Sequence, residues 1–150
     1  QLDLAILLAA GEGKRMKSSR AKVLHEIAGR SLIAHVIKAV EPLAAKELRV
    51  VVGADKEDVI QHLSGVSPSA KTIYQEVRGG TGHAVKLALA GYNSSGTVLI
   101  CAGDTPLLTS ATLRELLNCS QRHCIDHPHA GSEWIWSSIA RSKRRSGRDC

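Results

Sequence analysis

The 150-residue chain reads as an α/β protein, three-layered, with a mostly parallel sheet. Three observations predict it. Short apolar runs alternate with helical stripes through residues 4–118. The runs are apolar at successive positions, as strands covered on both faces require. Each ends in a turn of small residues or glycine, where open parallel sheets collect their ligands.

The first strand covers 4–8 and breaks into Ala9-Ala10-Gly11-Glu12-Gly13-Lys14-Arg15-Met16. Bare backbone N–H groups in such a turn suit an anion, and Arg15 and Lys22 add the charge a polyphosphate needs. The turn is not a dinucleotide fingerprint, which needs glycine where Met16 stands, nor a Walker loop, which needs Gly-Lys-Ser/Thr. A solvated turn with ordinary surface cations is the plain alternative.

Apolar residues at 32, 33, 36, 37 and 40 predict a helix over 32–40, capped by Ser31 and ended by Pro42. A buried strand over 48–52 stops at Gly53; a helix over 56–63 and a weaker strand over 71–75 follow. Gly79-Gly80-Thr81-Gly82 then opens a helix over 83–90, with Thr81 placed to cap it. A strand over 97–101 ends at Ala102-Gly103-Asp104-Thr105-Pro106, before a last helix over 110–117.

The turns at 9–15, 53–55, 76–82 and 102–106 all follow strands, so a parallel sheet brings them to one edge. On that edge Asp104 is either a turn residue before Pro106 or, facing a phosphate cradle, a ligand for a divalent cation. His25, His35, His62 and His83 lie in or beside predicted helices and read as packing or capping residues.

Composition narrows the classes further. Aromatic residues are 3% of the chain and Phe is absent, so the core must be aliphatic. No apolar run approaches the roughly 20 residues of a membrane span, and the start lacks a secretory pattern. A start at Gln1 reads as a fragment or an incomplete beginning. The net charge of +6 is unevenly placed: residues 1–118 carry 14 Lys/Arg against 11 Asp/Glu, and 119–150 carry 6 against 3. Both tryptophans, three of four cysteines and three of seven histidines also fall after 118. The division expected is therefore 1–118 as the folded part and 119–150 as an aberrant, basic, disordered tail. Cys119, His123, Cys124, His127 and His129 match no strong zinc spacing. Arg141-Ser142-Lys143-Arg144-Arg145 reads as a solvated terminus before it reads as a nucleic-acid site.

Leu8-Ala9-Ala10-Gly11-Glu12-Gly13-Lys14-Arg15-Met16, then Lys22-Val23-Leu24-His25, Gly29 and His35-Val36-Ile37, resemble the sugar-phosphate nucleotidylyltransferases. Lys22-Val23-Leu24-His25 and Gly80-Thr81-Gly82-His83-Ala84 draw the likeness toward the N-acetylglucosamine-1-phosphate uridylyltransferases. It covers residues 4–118 and implies a Rossmann-like nucleotidyltransferase fold, truncated here after about four βα units. It implies uridylyl transfer from UTP to N-acetylglucosamine 1-phosphate, releasing pyrophosphate. Arg15 and Lys22 would then be catalytic, on the leaving β/γ phosphates and on the α-phosphate. Leu8, Ala9, Gly11, Gly13, Gly80 and Thr81 would bind the nucleotide, and Asp104 would hold Mg²⁺. The setting implied is peptidoglycan precursor synthesis in a bacterial cytoplasm, with no membrane or nucleic-acid partner.

The pattern departs at two places. Ala21 stands where many members have Pro, and Arg78 stands where some have a uracil-reading Gln; Gln75 lies three residues earlier. Molybdenum-cofactor nucleotidyltransferases share the opening motif but not the Lys-Val-Leu-His and Gly-Thr-Gly-His runs. A non-catalytic nucleotide- or nucleic-acid-binding module is the rival from another class. The family's Gly-Tyr-Gly-Arg segment is missing after Asp104, yet codons for Glu133-Trp134-Ile135-Trp136-Ser137, read one base later, can encode it. The tail after about Asn118 is accordingly expected to be a frameshift product, and the chain alone to turn over little.

Overall fold

Leu4, Ile6 and Leu8 alternate with Ala5, Leu7 and Ala9 along the first strand, and apart from a half-buried Leu8 all are buried. A strand apolar on both faces needs a layer of helices on each side, and the computed structural model of this chain has that arrangement. It describes residues 1–11, 20–77, 79–93 and 96–123, with side chains to 119. In chain order come β1 (Leu2–Ala9), β2 (Glu26–Ile27), β3 (Arg30–Ser31), α1 (Leu32–Val40), β4 (Glu47–Val52), α2 (Lys56–Val66), β5 (Lys71–Tyr74), α3 (Gly80–Ala88), β6 (Thr97–Ala102) and α4 (Ser110–His123). Single 3-10 turns lie at Lys22–Leu24 and Glu41–Leu43.

The main sheet runs β5-β4-β1-β6 and is parallel at every pairing. One face buries Ala5, Leu7, Val50, Val52, Leu99 and Cys101 against α1, α2 and α4. The other buries Leu4, Ile6 and Val51 against Ala84 and Ala88 of α3. This is the expected three-layer α/β order. No helix among the described residues is long and apolar enough to cross a membrane.

Ser31 caps α1 as the sequence predicts, its Oγ accepting the Ala34 N–H at 3.2 Å. Other local expectations need correcting. Thr81 does not cap α3: the helix begins at Gly80, Gly79 is its N-cap, and no side chain bonds the cap. The last helix continues beyond 117 to His123, carrying its backbone across Asn118 without a break. The β2–β3 hairpin was not foreseen. It turns on Ala28 (φ 52°) and Gly29 (φ 73°), two positive φ values in succession, as a tight two-residue hairpin demands. Ala21, in the place of the family's proline, holds φ −51° and ψ 135°, values a proline would also adopt.

The run read as wholly apolar over 48–52 hides a buried cation. Arg49 is 8% exposed; its Nε donates to Glu47 Oε1 at 2.5 Å, and its NH1 donates to the carbonyls of Ala88 (2.6 Å) and Ala90 (3.1 Å) at the end of α3. A guanidinium suits the unpaired carbonyls at a helix C-terminus. The Arg49 bond, then the Lys71 one, holds the Glu47 carboxyl below its ordinary value. On the opposite face, burial pushes the Cys101 thiol up to about 11, so it stays protonated and unreactive near neutrality.

Gly13, Arg15 and Arg78 lie outside the described residues, as do Cys124, His127 and His129 of the zinc spacing, the basic run at 141–145 and the shifted-frame segment at 133–137.

Candidate active site

A parallel sheet places the carboxyl ends of its strands on one edge, and the register decides how level they are. Leu8 pairs with Ala102, Ala9 with Val52, and Val52 with Tyr74. The turns after β1, β4, β5 and β6 therefore start from nearly one line.

Small residues let these turns close together. A Cβ on Gly53 would sit 2.9 Å from the Ala10 carbonyl oxygen, and one on Gly103 would sit 3.1 Å from the Leu8 carbonyl oxygen. The Gly103 N–H instead donates to that Leu8 carbonyl at 2.9 Å, tying the turn after β6 to the end of β1. Between the first two turns lies a cleft of about 60 Å³ lined by Ala9, Ala10, Gly11, Gly53, Asp55 and Val59, among others. Among the described residues, nothing lies within 4 Å of where a Gly11 Cβ would stand.

Lys22 reaches this edge from a separate segment. Its 3-10 turn is anchored by Val23 and Leu24, both buried, and the Leu24 N–H donates to the Ala21 carbonyl at 2.9 Å. Val23 packs beneath Gly103, its Cγ1 being 3.4 Å from a Cβ built there. Lys22 is thereby held over the turn after β6, and its Nζ donates to Asp104 Oδ2 at 2.5 Å. The two residues are 82 positions apart, with side chains 40% and 31% exposed. Thr105 Oγ1 donates to the Ala102 carbonyl at 3.0 Å and fixes the turn that presents Asp104.

Asp104 thus already faces a cation, here an ammonium. A hard carboxylate oxygen also suits magnesium, which commonly takes one or two protein carboxylates and completes its shell with waters and phosphates. Asp104 supplies one such carboxylate. No cluster of three or more potential metal ligands occurs among the described residues, so a dedicated protein cage is not what they form.

The second glycine cluster contributes a group that sequence reasoning placed only loosely. Gln75 follows β5, is 8% exposed, and its N–H donates to the Val52 carbonyl at 2.9 Å. Its Nε2 donates to the Gly80 carbonyl at 3.3 Å and to His83 Nδ1 at 3.1 Å. Gly80 holds φ +77°, and a Cβ on Gly79 would strike the His83 ring at 2.4 Å, so both glycines are needed for this turn. A polar residue at a strand end, five before a glycine, was the available signal.

Of the residues singled out from sequence, Lys22 and Asp104 are brought together. Leu8, Ala9 and Gly11 line the end of β1, and Gly80 and Thr81 open α3 beside Gln75. The other histidines serve locally. His35 Nε2 donates to the Ile27 carbonyl at 2.8 Å, and His62 Nε2 bonds Ser31 Oγ at 2.7 Å. His25 Nε2 is buried with no partner among the described residues.

Known proteins give this geometry a context. The chain is 51% identical to the bifunctional protein GlmU of Thermobifida fusca over 117 residues, 75% of this chain and 24% of that protein. It is 49% identical to GlmU of Thermoanaerobacter pseudethanolicus over 115 residues, 77% of this chain and 24% of that one. The chain thus spans about a quarter of the length of these curated relatives. Among solved structures it is similar to a nucleotidyl transferase from Methanothermobacter thermautotroptrophicus, with TM-score 0.68 and 25% identity over 78% of this chain and 57% of that one. The inositol-1-phosphate CTP transferase from T. maritima shares the fold at TM-score 0.58 and 21% identity, over 69% of this chain and 44% of that one. With the model of the MobA-like NTP transferase domain matching residues 5–146, the chain belongs to that family of nucleotidyltransferases.

Proposed function

We propose that the chain forms the nucleotide half of a uridylyltransferase that makes UDP-N-acetylglucosamine and pyrophosphate from UTP and N-acetylglucosamine 1-phosphate. The observation that carries this reading is the Lys22–Asp104 pair at the carboxyl edge of the sheet. The GlmU relatives and the Lys-Val-Leu-His and Gly-Thr-Gly-His runs support the choice of substrates.

In this reaction a phosphate oxygen of the sugar attacks the α-phosphorus of UTP. The bond from that phosphorus to the bridging oxygen of the β-phosphate breaks, and pyrophosphate leaves. Such chemistry calls for placement and charge neutralisation more than for a protein nucleophile. Lys22 would turn from Asp104 to the α-phosphate and steady its developing charge. Arg15 is assigned the departing β/γ phosphates. Leu8, Ala9, Gly11 and Gly13, with Gly80 and Thr81, would surround base and ribose, and Gln75 would meet the base edge. Asp104 would hold Mg²⁺, which when bound supplies neutralising charge to the phosphate oxygens. The cellular setting proposed is the bacterial cytoplasm, feeding peptidoglycan synthesis.

The test is the Lys22→Ala variant. UTP affinity in magnesium falls by roughly tenfold or more, the loss of one charge-assisted contact to phosphate. Any pyrophosphate released from UTP and N-acetylglucosamine 1-phosphate disappears with it. Unchanged UTP affinity would overturn the assignment.

A further inference from the structure

We infer that Asp55 holds the nucleotide by the 2′- and 3′-hydroxyls of its ribose, and so makes the site select ribonucleotides over their deoxy counterparts. The inference rests on the nucleotidyl-transfer reading above and adds to it a residue that sets sugar specificity.

The cleft between the turns after β1 and β4 offers a ligand one polar side chain among the described residues. Its walls are otherwise alanine, glycine and Val59, so a directional bond to a side chain there is a bond to Asp55.

That carboxylate is not consumed by the fold. Asp55 is the N-cap of α2, yet its side chain accepts no helix N–H. Its φ of −86° and ψ of 30° lie outside the extended region from which caps bond, whereas Ser31 caps α1 from φ −62° and ψ 153°. Asp55 is exposed, and its carboxylate has no hydrogen bond or ion pair among the described residues.

Charge decides what this group can meet. It repels phosphates, so a nucleotide in the cleft must turn neutral hydrogen-bond donors toward it. A nucleoside triphosphate carries such donors on its base and on its ribose, and the strand order separates the two. Along the carboxyl edge Gln75 follows β5, Asp55 follows β4, Gly11 follows β1 and Asp104 follows β6, in the order of the strands themselves. Neighbouring strands stand about 4.8 Å apart, so the row spans about 14 Å, enough for a nucleotide laid across it. The row is tied together, since the Gln75 N–H donates to the Val52 carbonyl at 2.9 Å and Gly53 abuts Ala10. With the phosphates at Lys22 and Asp104 and the base at Gln75, the ribose falls over the turn after β4.

Size agrees with that placement. About 60 Å³ admits a pair of hydroxyl groups and not a base. The two ribose hydroxyls are vicinal, and each oxygen of one carboxylate can accept one of them. Acidic side chains take a ribose hydroxyl in this way in dinucleotide-binding folds.

Calorimetric titration of the full chain in magnesium, with UTP and with 2′,3′-dideoxy-UTP, tests this. The unaltered chain is expected to bind UTP roughly tenfold or more the tighter, the worth of charge-assisted bonds in an open cleft. Asp55→Ala brings that ratio to about one, because UTP weakens while the dideoxy nucleotide binds as before or tighter. Asp55→Asn keeps one accepting oxygen and falls between. Equal weakening of both nucleotides in Asp55→Ala, or an unchanged ratio, overturns the inference. So does an unaltered chain that binds the two equally, which leaves the phosphate site at Lys22 standing. A chain that binds neither overturns the nucleotide site itself, and the proposed reaction with it.

Discussion

Asp104→Asn weakens UTP binding in magnesium by roughly tenfold or more, yet leaves it unchanged or tighter in EDTA. The opposite signs follow from what the carboxylate does in each condition. With magnesium present, its charge is needed to hold the ion against the phosphates. Without the ion, the same charge repels the triphosphate and keeps Lys22, 2.5 Å away, occupied. Removing it frees the ammonium for phosphate. An exposed pair of this kind contributes only about 0–1 kcal/mol to folding, so the variant's stability should barely change. Displacement of a fluorescent nucleotide, with and without magnesium, reads both arms. Equal weakening in the two conditions would mean that Asp104 shapes the turn and has no part in binding the ion.

Arg49→Met destabilises the fold by about 3 kcal/mol, a large share of the roughly 5–15 kcal/mol of a small domain. Methionine keeps much of the apolar stem but strands two acceptors, the Ala88 and Ala90 carbonyls, and leaves Glu47 Oε1 only its Lys71 partner. It also removes the cation 5.9 Å from the Tyr92 ring centroid. Urea denaturation at neutral pH measures the loss, and a change below about 0.5 kcal/mol would place Arg49 among ordinary surface residues. The effect also depends on acidity. Glu47 is held below its ordinary value of 4.5 in the folded chain, first by Arg49. Its stabilisation is complete above that value and disappears as pH falls through the lower, folded one. The gap between variant and unaltered chain should therefore narrow as pH drops below about 4.5.

Most of the layered fold was readable because its signals are local. Two-sided apolar runs, a serine before a helical stripe and glycines after strands each report what the neighbouring backbone must do. The meeting of Lys22 with Asp104 was partly readable, since a parallel sheet sends every strand's end to one edge. What escaped depends on tertiary partners. Arg49 looks like an interruption in an apolar strand, and only the end of α3 explains why a cation is buried there. Two-residue strands such as β2 and β3 leave no periodicity to detect. Thr81 has the chemistry of a cap, but Gly80 at positive φ starts α3 one residue before it. Gln75 and His83 are eight apart and read separately as a strand end and a helix start. Their pairing exists only once the glycine turn folds them together.

The most direct measurement is calorimetric titration of UTP into the full chain, with magnesium and with EDTA. Saturable binding at one site that tightens in magnesium is the predicted result, because the glycine turn, Lys22 and Asp104 lie on one edge of the sheet. Absence of binding in both conditions would contradict the account, leaving this chain with the family's fold but without its nucleotide site.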